Sequence, residues 1–165
     1  MGSIFVRGTR VHLREVTDDD LALIEPWYPE AASAVHGGAV EPPARDLQRR
    51  LEEARASGGA LCAIVPAGED APAGLLDYRR GYPAGGWLTV GFVAMAARRR
   101  GWGYGSEAVR LLEGEALKRR WARNFRADVC YRNGLGLYFW LRLGYRPVAE
   151  NTDAANTLAL VRNSA

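Results

Sequence analysis

The chain has a single lysine, Lys118, two cysteines, Cys62 and Cys130, and two histidines. Each shortage excludes something. No lysine follows the glycine cluster near residue 103, so a Gly-x-x-x-x-Gly-Lys-Ser/Thr phosphate loop is ruled out. No Cys/His group has metal-ligand spacing, so no metal is expected. Both cysteines sit among apolar residues of predicted strands and read as buried thiols. No apolar run approaches the ~18 residues of a membrane span, and the N-terminus has no signal-peptide pattern. The default expectation is a soluble, cytoplasmic protein without membrane contact. Repeats, low-complexity tracts and long linkers are also missing, so residues 1–165 are expected to form one domain.

What is present is ordinary in bulk and uneven in detail. Apolar residues make up 48% and charged residues 25%, as in a soluble globular protein. Net charge is only +3, yet arginine is dense between Arg98 and Arg126. Such a patch suits nucleic acid or a polyanionic cofactor. The cofactor reading fits better, because the arginines gather around a phosphate-type turn.

Alternation and helical spacing give a coarse layout. Residues 4–16 read as a first strand, with a bend at Gly8-Thr9. Thr17 followed by three aspartates starts a helix over residues 19–27, which Pro26 and Pro29 end. Residues 30–43 read as a loop and residues 44–56 as a second helix. Strands are expected over 61–65, 73–80 and 87–95, then a helix over 107–121. A strand over 124–131, a short helix over 135–143 closed by Gly144, and strands over 145–149 and 157–162 complete the chain, with a turn over 151–156. The order predicts an α/β (α+β) protein with a mixed sheet of about seven strands and about four helices.

The chemistry concentrates in Arg98-Arg99-Arg100-Gly101-Trp102-Gly103-Tyr104-Gly105-Ser106, between the apolar strand and the helix. Glycines let the backbone approach a ligand at positive φ. The following helix start offers unpaired N–H groups and a positive dipole end. Together they form an anion site, with arginine forks beside it. The spacing is Gly-x-Gly-x-Gly, not the Gly-x-Gly-x-x-Gly of a dinucleotide fold.

Arg100-Gly101-Trp102-Gly103-Tyr104-Gly105 fits Arg/Gln-x-x-Gly-x-Gly/Ala and resembles the pyrophosphate loop of the GNAT superfamily, the acyl-CoA-dependent N-acyltransferases. Asn133, a short helix and then Leu143-Gly144-Tyr145 resemble that family's second signature, and the element order is similar along nearly the whole chain. The resemblance implies the GNAT fold, a mostly antiparallel sheet, and acetyl-CoA as co-substrate. It implies backbone contacts to the pantetheine arm and thioester from Val93, Ala94 and Met95, with Gly91 a candidate bulge. The pyrophosphate would sit on Gly101, Trp102, Gly103, Tyr104, Gly105 and Ser106 beside Arg100. Arg98 or Arg99 would either reach the 3′-phosphate or form a solvated rim. Asn133 would contact the pantetheine or cap its helix.

One position departs from the family. The tyrosine that protonates the leaving thiolate is usually four residues before the signature glycine, where this chain has Trp140. Tyr138 or Tyr104 is the substitute, or no acid is needed, since a thiol pKa of about 8.5 makes thiolate a fair leaving group. Two residues on a helix is about 200°, so Tyr138 points away from Trp140. Trp140 then lines the cofactor site or belongs to the core. Asp77, Glu41 and Asp128 are the candidate bases, each also readable as a solvated charge. His36 and Tyr28 fall where the family builds its acceptor wall.

The expected function is transfer of an acetyl group from acetyl-CoA to a primary amine by direct attack. Arg10-Val-His-Leu-Arg14-Glu resembles the branch that acetylates protein N-termini and related small amines. Homodimers are common among relatives. Two other readings make different predictions. A non-catalytic acyl-CoA-binding module would bind without turnover. A nucleic-acid binder would show steeply salt-dependent binding.

Overall fold

The computed structural model describes residues 3–35, 45–149 and 157–163. Eight strands form one sheet in the order β1-β2-β3-β4-β5-β6-β8-β7. They are β1 (Phe5–Arg7), β2 (Val11–Glu15), β3 (Gly59–Pro66), β4 (Gly74–Arg80), β5 (Trp87–Met95), β6 (Asn124–Cys130), β7 (Arg146–Pro147) and β8 (Thr157–Asn163). Five α-helices accompany them among the described residues: α1 (Leu21–Ile24), α2 (Tyr28–Val35), α3 (Asp46–Ala56), α4 (Tyr104–Lys118) and α5 (Gly134–Arg142). Every strand pair is antiparallel except β5–β6. α4 makes that parallel crossover, and α5 carries the chain from β6 past the place of β8 to β7.

The sheet carries an apolar cluster on each face. One contains Val109 and Leu112 of α4 and Trp140 of α5, packed on Leu76, Leu88, Val90 and Phe125. The other joins Ile24, Tyr28, Leu47 and Leu51 of the first three helices to Leu61, Leu75, Phe92 and Ala94. β5 therefore changes sides. Leu88 and Val90 face α4, but Phe92 and Ala94 face α2 and α3. Strict alternation forbids this, and a bulge permits it. The β4–β5 register runs Asp77↔Phe92 and then Tyr78↔Val90, which leaves Gly91 as the extra residue. The amide of Gly91 donates to Asp77 Oδ1 at 3.0 Å. A Cβ there would come within 2.8 Å of that same oxygen, so the bulge and the carboxylate are fitted to each other.

Several expectations change. The first strand is a hairpin, β1 and β2, closed by a Gly8 N–H to Val11 carbonyl bond of 2.8 Å; with this split the sheet has eight strands rather than seven. The first helix is shorter than residues 19–27, a 3-10 turn (Asp18–Asp20) and then α1. Residues 30–35 are helix, not loop. Pro29 is the second residue of α2, where no intrahelical N–H bond is needed, so it starts a helix instead of ending one. α4 begins at Tyr104, three residues before the expected start. It ends at Lys118, three before the expected end, because Arg120 takes φ +58° and the Trp121 amide returns to the Ala116 carbonyl at 2.8 Å, a Schellman closure on a non-glycine residue. Of the strand expected over 145–149 only Arg146 and Pro147 form β7, and the Val148 amide adds one further bond, to the Ala159 carbonyl at 3.0 Å. Cys62 is buried as expected, but Cys130 is only partly so. The turn expected over 151–156 lies outside the described residues.

Candidate active site at the parting of two strands

β5 and β6 pair only from Trp87↔Asn124 to Val90↔Ala127. Beyond the bulge β5 follows β4 (Val93↔Leu76, Ala94↔Leu75, Met95↔Gly74) and no strand covers its β6 side among the described residues. The two strands part, and a cavity of about 760 Å³ opens between them. Its walls are Gly91 to Met95, the turn from Arg99 to Ser106, Asp128 to Cys130, and Asn133, Tyr138 and Trp140 of the α5 region. A cavity of this size suits a large cofactor.

The turn at its rim has the geometry an anion needs. Gly101 and Gly103 take φ +80° and +84°, open to glycine at little cost. Gly103 caps α4, so the amides of Tyr104, Gly105 and Ser106 form the first turn, whose N–H groups have no partner within the helix. At Gly105 an added Cβ would meet Phe139 and Val93 at 3.4 and 3.5 Å, so the helix start lies hard against β5 and α5.

Several long-range contacts hold this turn, and none is visible in the local sequence. Arg10 donates to the Trp102 carbonyl at 2.6 Å and its guanidinium lies 5.2 Å over the Tyr104 ring. Glu107 Oε2 accepts the amides of Arg10 and Val11 at 2.8 and 2.9 Å. Arg99 pairs bidentately with Glu69, whereas Arg98 is exposed. Arg100 donates to the Met95 carbonyl at 3.1 Å and pairs with Glu30 of α2. That guanidinium holds the Glu30 carboxyl below its ordinary range.

On α5, Asn133 caps the helix through Oδ1, which accepts the Gly136 amide at 2.8 Å. A Cβ at Gly136 would fall 2.2 Å from that side chain, so the pair works as a unit. Trp140 is 5% exposed and packs edge-on against Tyr145 and Phe139. Tyr138 is 59% exposed, with Arg142 5.7 Å over its ring. Both line the cavity, Trp140 from the core and Tyr138 from the rim.

A second cavity of about 190 Å³ lies on the α3 face. It holds Asp77 and Asp128, walled by Arg50, Glu53, Ala54 and Ser57 and by Arg79, Tyr82 and Thr89. Gly91 and Asp128 line both cavities, so both spaces border the bulge. Burial pushes the Asp77 carboxyl above its ordinary value, against the pull of Arg50 and the Gly91 amide, with Asp128 adding to the rise. The Arg50 guanidinium is 3.9 Å from Asp77 and 4.3 Å over the Phe92 ring. It is held from behind by Asp46 at 3.1 Å and the Tyr28 hydroxyl at 2.7 Å. Tyr28 is thus buried behind Arg50. His36 and Glu41 lie outside the described residues.

A sheet whose one parallel pair parts over a glycine-rich helix start is the fold of the GNAT acetyltransferases, and solved structures of that fold match this chain along nearly its whole length. An acetyltransferase from Thermus thermophilus is similar at TM-score 0.76 and 23% identity, over 97% of this chain and 99% of that one. An acetyl transferase from Salmonella typhimurium that modifies the N-terminal serine of a 50S ribosomal subunit protein is similar at TM-score 0.79 and 12% identity, over 98% and 100%. RimL, a ribosomal alpha-N-protein acetyltransferase, in its complex with coenzyme A, is similar at TM-score 0.75 and 12% identity, over 98% of each chain. No protein-family model and no curated protein matches the chain.

Proposed function

We propose that the chain acts as a single domain that transfers an acetyl group from acetyl-CoA to a primary amine. The observation that carries this is a pair of cavities that share Gly91 and Asp128 in their walls. A transfer between two bound molecules needs their reacting ends brought together from separate sides. The larger cavity has the glycine turn and helix start that suit a pyrophosphate. The smaller has carboxylates that suit an amine.

The roles follow from position. Gly101 to Ser106 hold the diphosphate by backbone amides. The β6-side backbone of Val93, Ala94 and Met95 pairs with the pantetheine arm and polarises the thioester carbonyl, so the same amides hold the oxyanion as it forms. Arg100 adds its charge beside the diphosphate, and Asn133, which caps α5, stands next to the pantetheine arm. Asp77 takes the proton that the amine nitrogen must lose as its C–N bond to the acyl carbon forms. A carboxylate with a raised pKa is better matched to that task than an ordinary one. The C–S bond breaks with its electron pair on sulfur. Tyr138, the α5 hydroxyl on the cavity rim, supplies the sulfur with a proton.

Trp140 supports a second reading. It fills the family's tyrosine position with core packing, which suits a non-catalytic acyl-CoA binder. One experiment separates the two readings. Acetyl-CoA at about 100 times its Kd adds roughly 2.7 kcal/mol, a rise of about 5–10 °C in Tm for a domain of this size. That rise with thiol release in an amine panel supports transfer. The rise without release supports the binder. No rise at millimolar ligand refutes both.

A further inference from the structure

One guanidinium lies between two carboxylates and is hydrogen-bonded to only one of them. Arg50 of α3 has Asp46 on one side and Asp77 on the other. Its Nε donates to Asp46 Oδ2 at 3.1 Å and to the Tyr28 hydroxyl at 2.7 Å. Toward Asp77, its Nη1 stands 3.9 Å from Oδ2, too long for a hydrogen bond. Asp77 is therefore half engaged. Its Oδ1 accepts the Gly91 amide at 3.0 Å, and its Oδ2 accepts no hydrogen bond among the described residues.

An arginine this close to a carboxylate ordinarily closes onto it as a fork. Asp46 prevents that. It is 4% exposed and collects three donors: the Tyr28 hydroxyl, Arg49 and Arg50 Nε. Burial opposes its charge, but those hydrogen bonds and the Arg50 charge hold its carboxyl below the ordinary range. On its flat side the Arg50 guanidinium lies 4.3 Å from the Phe92 ring centroid, which limits its movement further. The other groups around Asp77 do not take the place of Arg50. Glu53 of α3 pairs with Arg49 at 2.9 Å. Arg79 on β4 is exposed and lies 4.9 Å over the Tyr82 ring. Asp128 of β6 accepts from Arg126 Nε at 3.0 Å. From β3 comes the Cys62 thiol, which burial keeps protonated.

Resting on the acetyltransferase reading, with Asp77 as base, we infer that Asp46 is a positioning residue: by holding Arg50 at its Nε edge it keeps the guanidinium off Asp77 Oδ2 and leaves that oxygen for the acceptor amine. A base must come within roughly 2.6–3.2 Å of the group whose proton it takes. An arginine fork on Oδ2 would fill that place. It would also favour the charged carboxylate and so weaken the base. From 3.9 Å, Arg50 attracts the carboxylate without covering it. Asp46 touches neither amine nor thioester in this scheme and acts through Arg50.

The test follows the Asp77 carboxyl directly, by its carboxyl-carbon NMR shift against pH in the full chain, with Asp77→Asn to assign the signal. Asp46→Asn keeps the size of the side chain and an oxygen for the Tyr28 hydroxyl, but removes the charge that holds Arg50. Arg50 should then close on Asp77, and the Asp77 midpoint should fall by about one pH unit. Arg50→Gln removes the attraction, and the midpoint should rise by about as much. Thiol release gives a second readout. The acid limb of kcat/KM should move down in pH in Asp46→Asn and up in Arg50→Gln, and the plateau of Asp46→Asn should drop about tenfold as Oδ2 is covered. Tm of each variant checks folding. Should Asp46→Asn not fold, Tyr28→Phe takes its place: it removes the 2.7 Å bond on Nε, and a smaller fall in the same direction is expected. A midpoint that the folded variant leaves unmoved or raises overturns the inference, as does one that Arg50→Gln does not raise. Activity lost equally at every pH, the mark of a merely structural role, also overturns it. A wild-type chain that releases no thiol with any amine is a different result. It refutes the transferase reading, while the titration still reports whether Asp46 holds Arg50 off Asp77.

Discussion

Asp77→Asn separates a chemical role for this carboxylate from a structural one. Asparagine keeps the size of the side chain and an acceptor oxygen for the Gly91 amide, so the 3.0 Å bond that seats the bulge survives. What disappears is the charge. The ion pair with Arg50 is long, 3.9 Å, and both side chains are partly exposed, 18% and 26%. Such a pair is worth about 0–1 kcal/mol. Against this loss stands relief, because burial holds the Asp77 carboxyl above its ordinary pKa, so its ionised form is disfavoured in the folded state. The two effects oppose, and Tm should move by no more than about 2 °C. Catalysis should not be spared. Loss of a positioned general base costs about 10²–10⁴-fold, and kcat/KM should fall by that amount. The pH profile gives a second readout. Protonated Asp77 cannot accept the amine's proton, so wild-type kcat/KM falls as pH drops through the raised pKa, above the ~3.9 of an ordinary aspartate. In the variant that limb should vanish. An Asp77→Asn variant within about threefold of wild type at every pH would refute the assignment, and a Tm loss above about 5 °C would show that the charge holds the bulge.

Four further outcomes follow. Arg10→Ala removes the 2.6 Å bond to the Trp102 carbonyl; a half-exposed charged bond is worth about 1 kcal/mol, so the Kd for acetyl-CoA should rise about fivefold by calorimetry. Glu30→Gln takes the negative partner from Arg100 and should tighten acetyl-CoA a few-fold at low salt, the gain fading at high salt as screening grows. Asn133→Ala loses the cap bond to Gly136, about 1 kcal/mol, read as a Tm fall of about 2–4 °C. Arg120→Gly relieves the left-handed residue that closes α4, and unfolding should show a gain of about 0.5–1 kcal/mol after glycine's own entropy cost.

Local physics made part of this molecule legible. β5 runs over the residues its apolar run marked, 87–95, and the glycine turn stands at a helix start because glycine spacing and helix periodicity are properties of neighbouring residues. Gly144, at φ +94°, ends α5 as a glycine cap should. Other features depended on distance. Arg10 and Glu107 meet across 97 positions, and no window of sequence contains both. Gly91 was suspect as a bulge, but the side change of Phe92 and Ala94 follows only from pairing with Asp77. Pro29 misled because proline breaks a helix interior and also opens a first turn; which applies is decided by packing, here by Ala31 and Ala32 buried in the second cluster. The smaller cavity is assembled from α3, β4, β5 and β6, so no motif announces it.

The extra residue at Gly91 also bears on how this protein can change. Because the bulge turns β5 over, substitutions before it and after it enter different cores. The small cavity draws on α3, on β4 and on the turn bearing Tyr82, and shares only Gly91 and Asp128 with the large one. Residues on the α3 face can therefore change while the glycine turn, Arg10 and α4 stay as they are. Deleting Gly91 has no such latitude, since it would swap the faces of Phe92 to Met95 and spoil both halves at once.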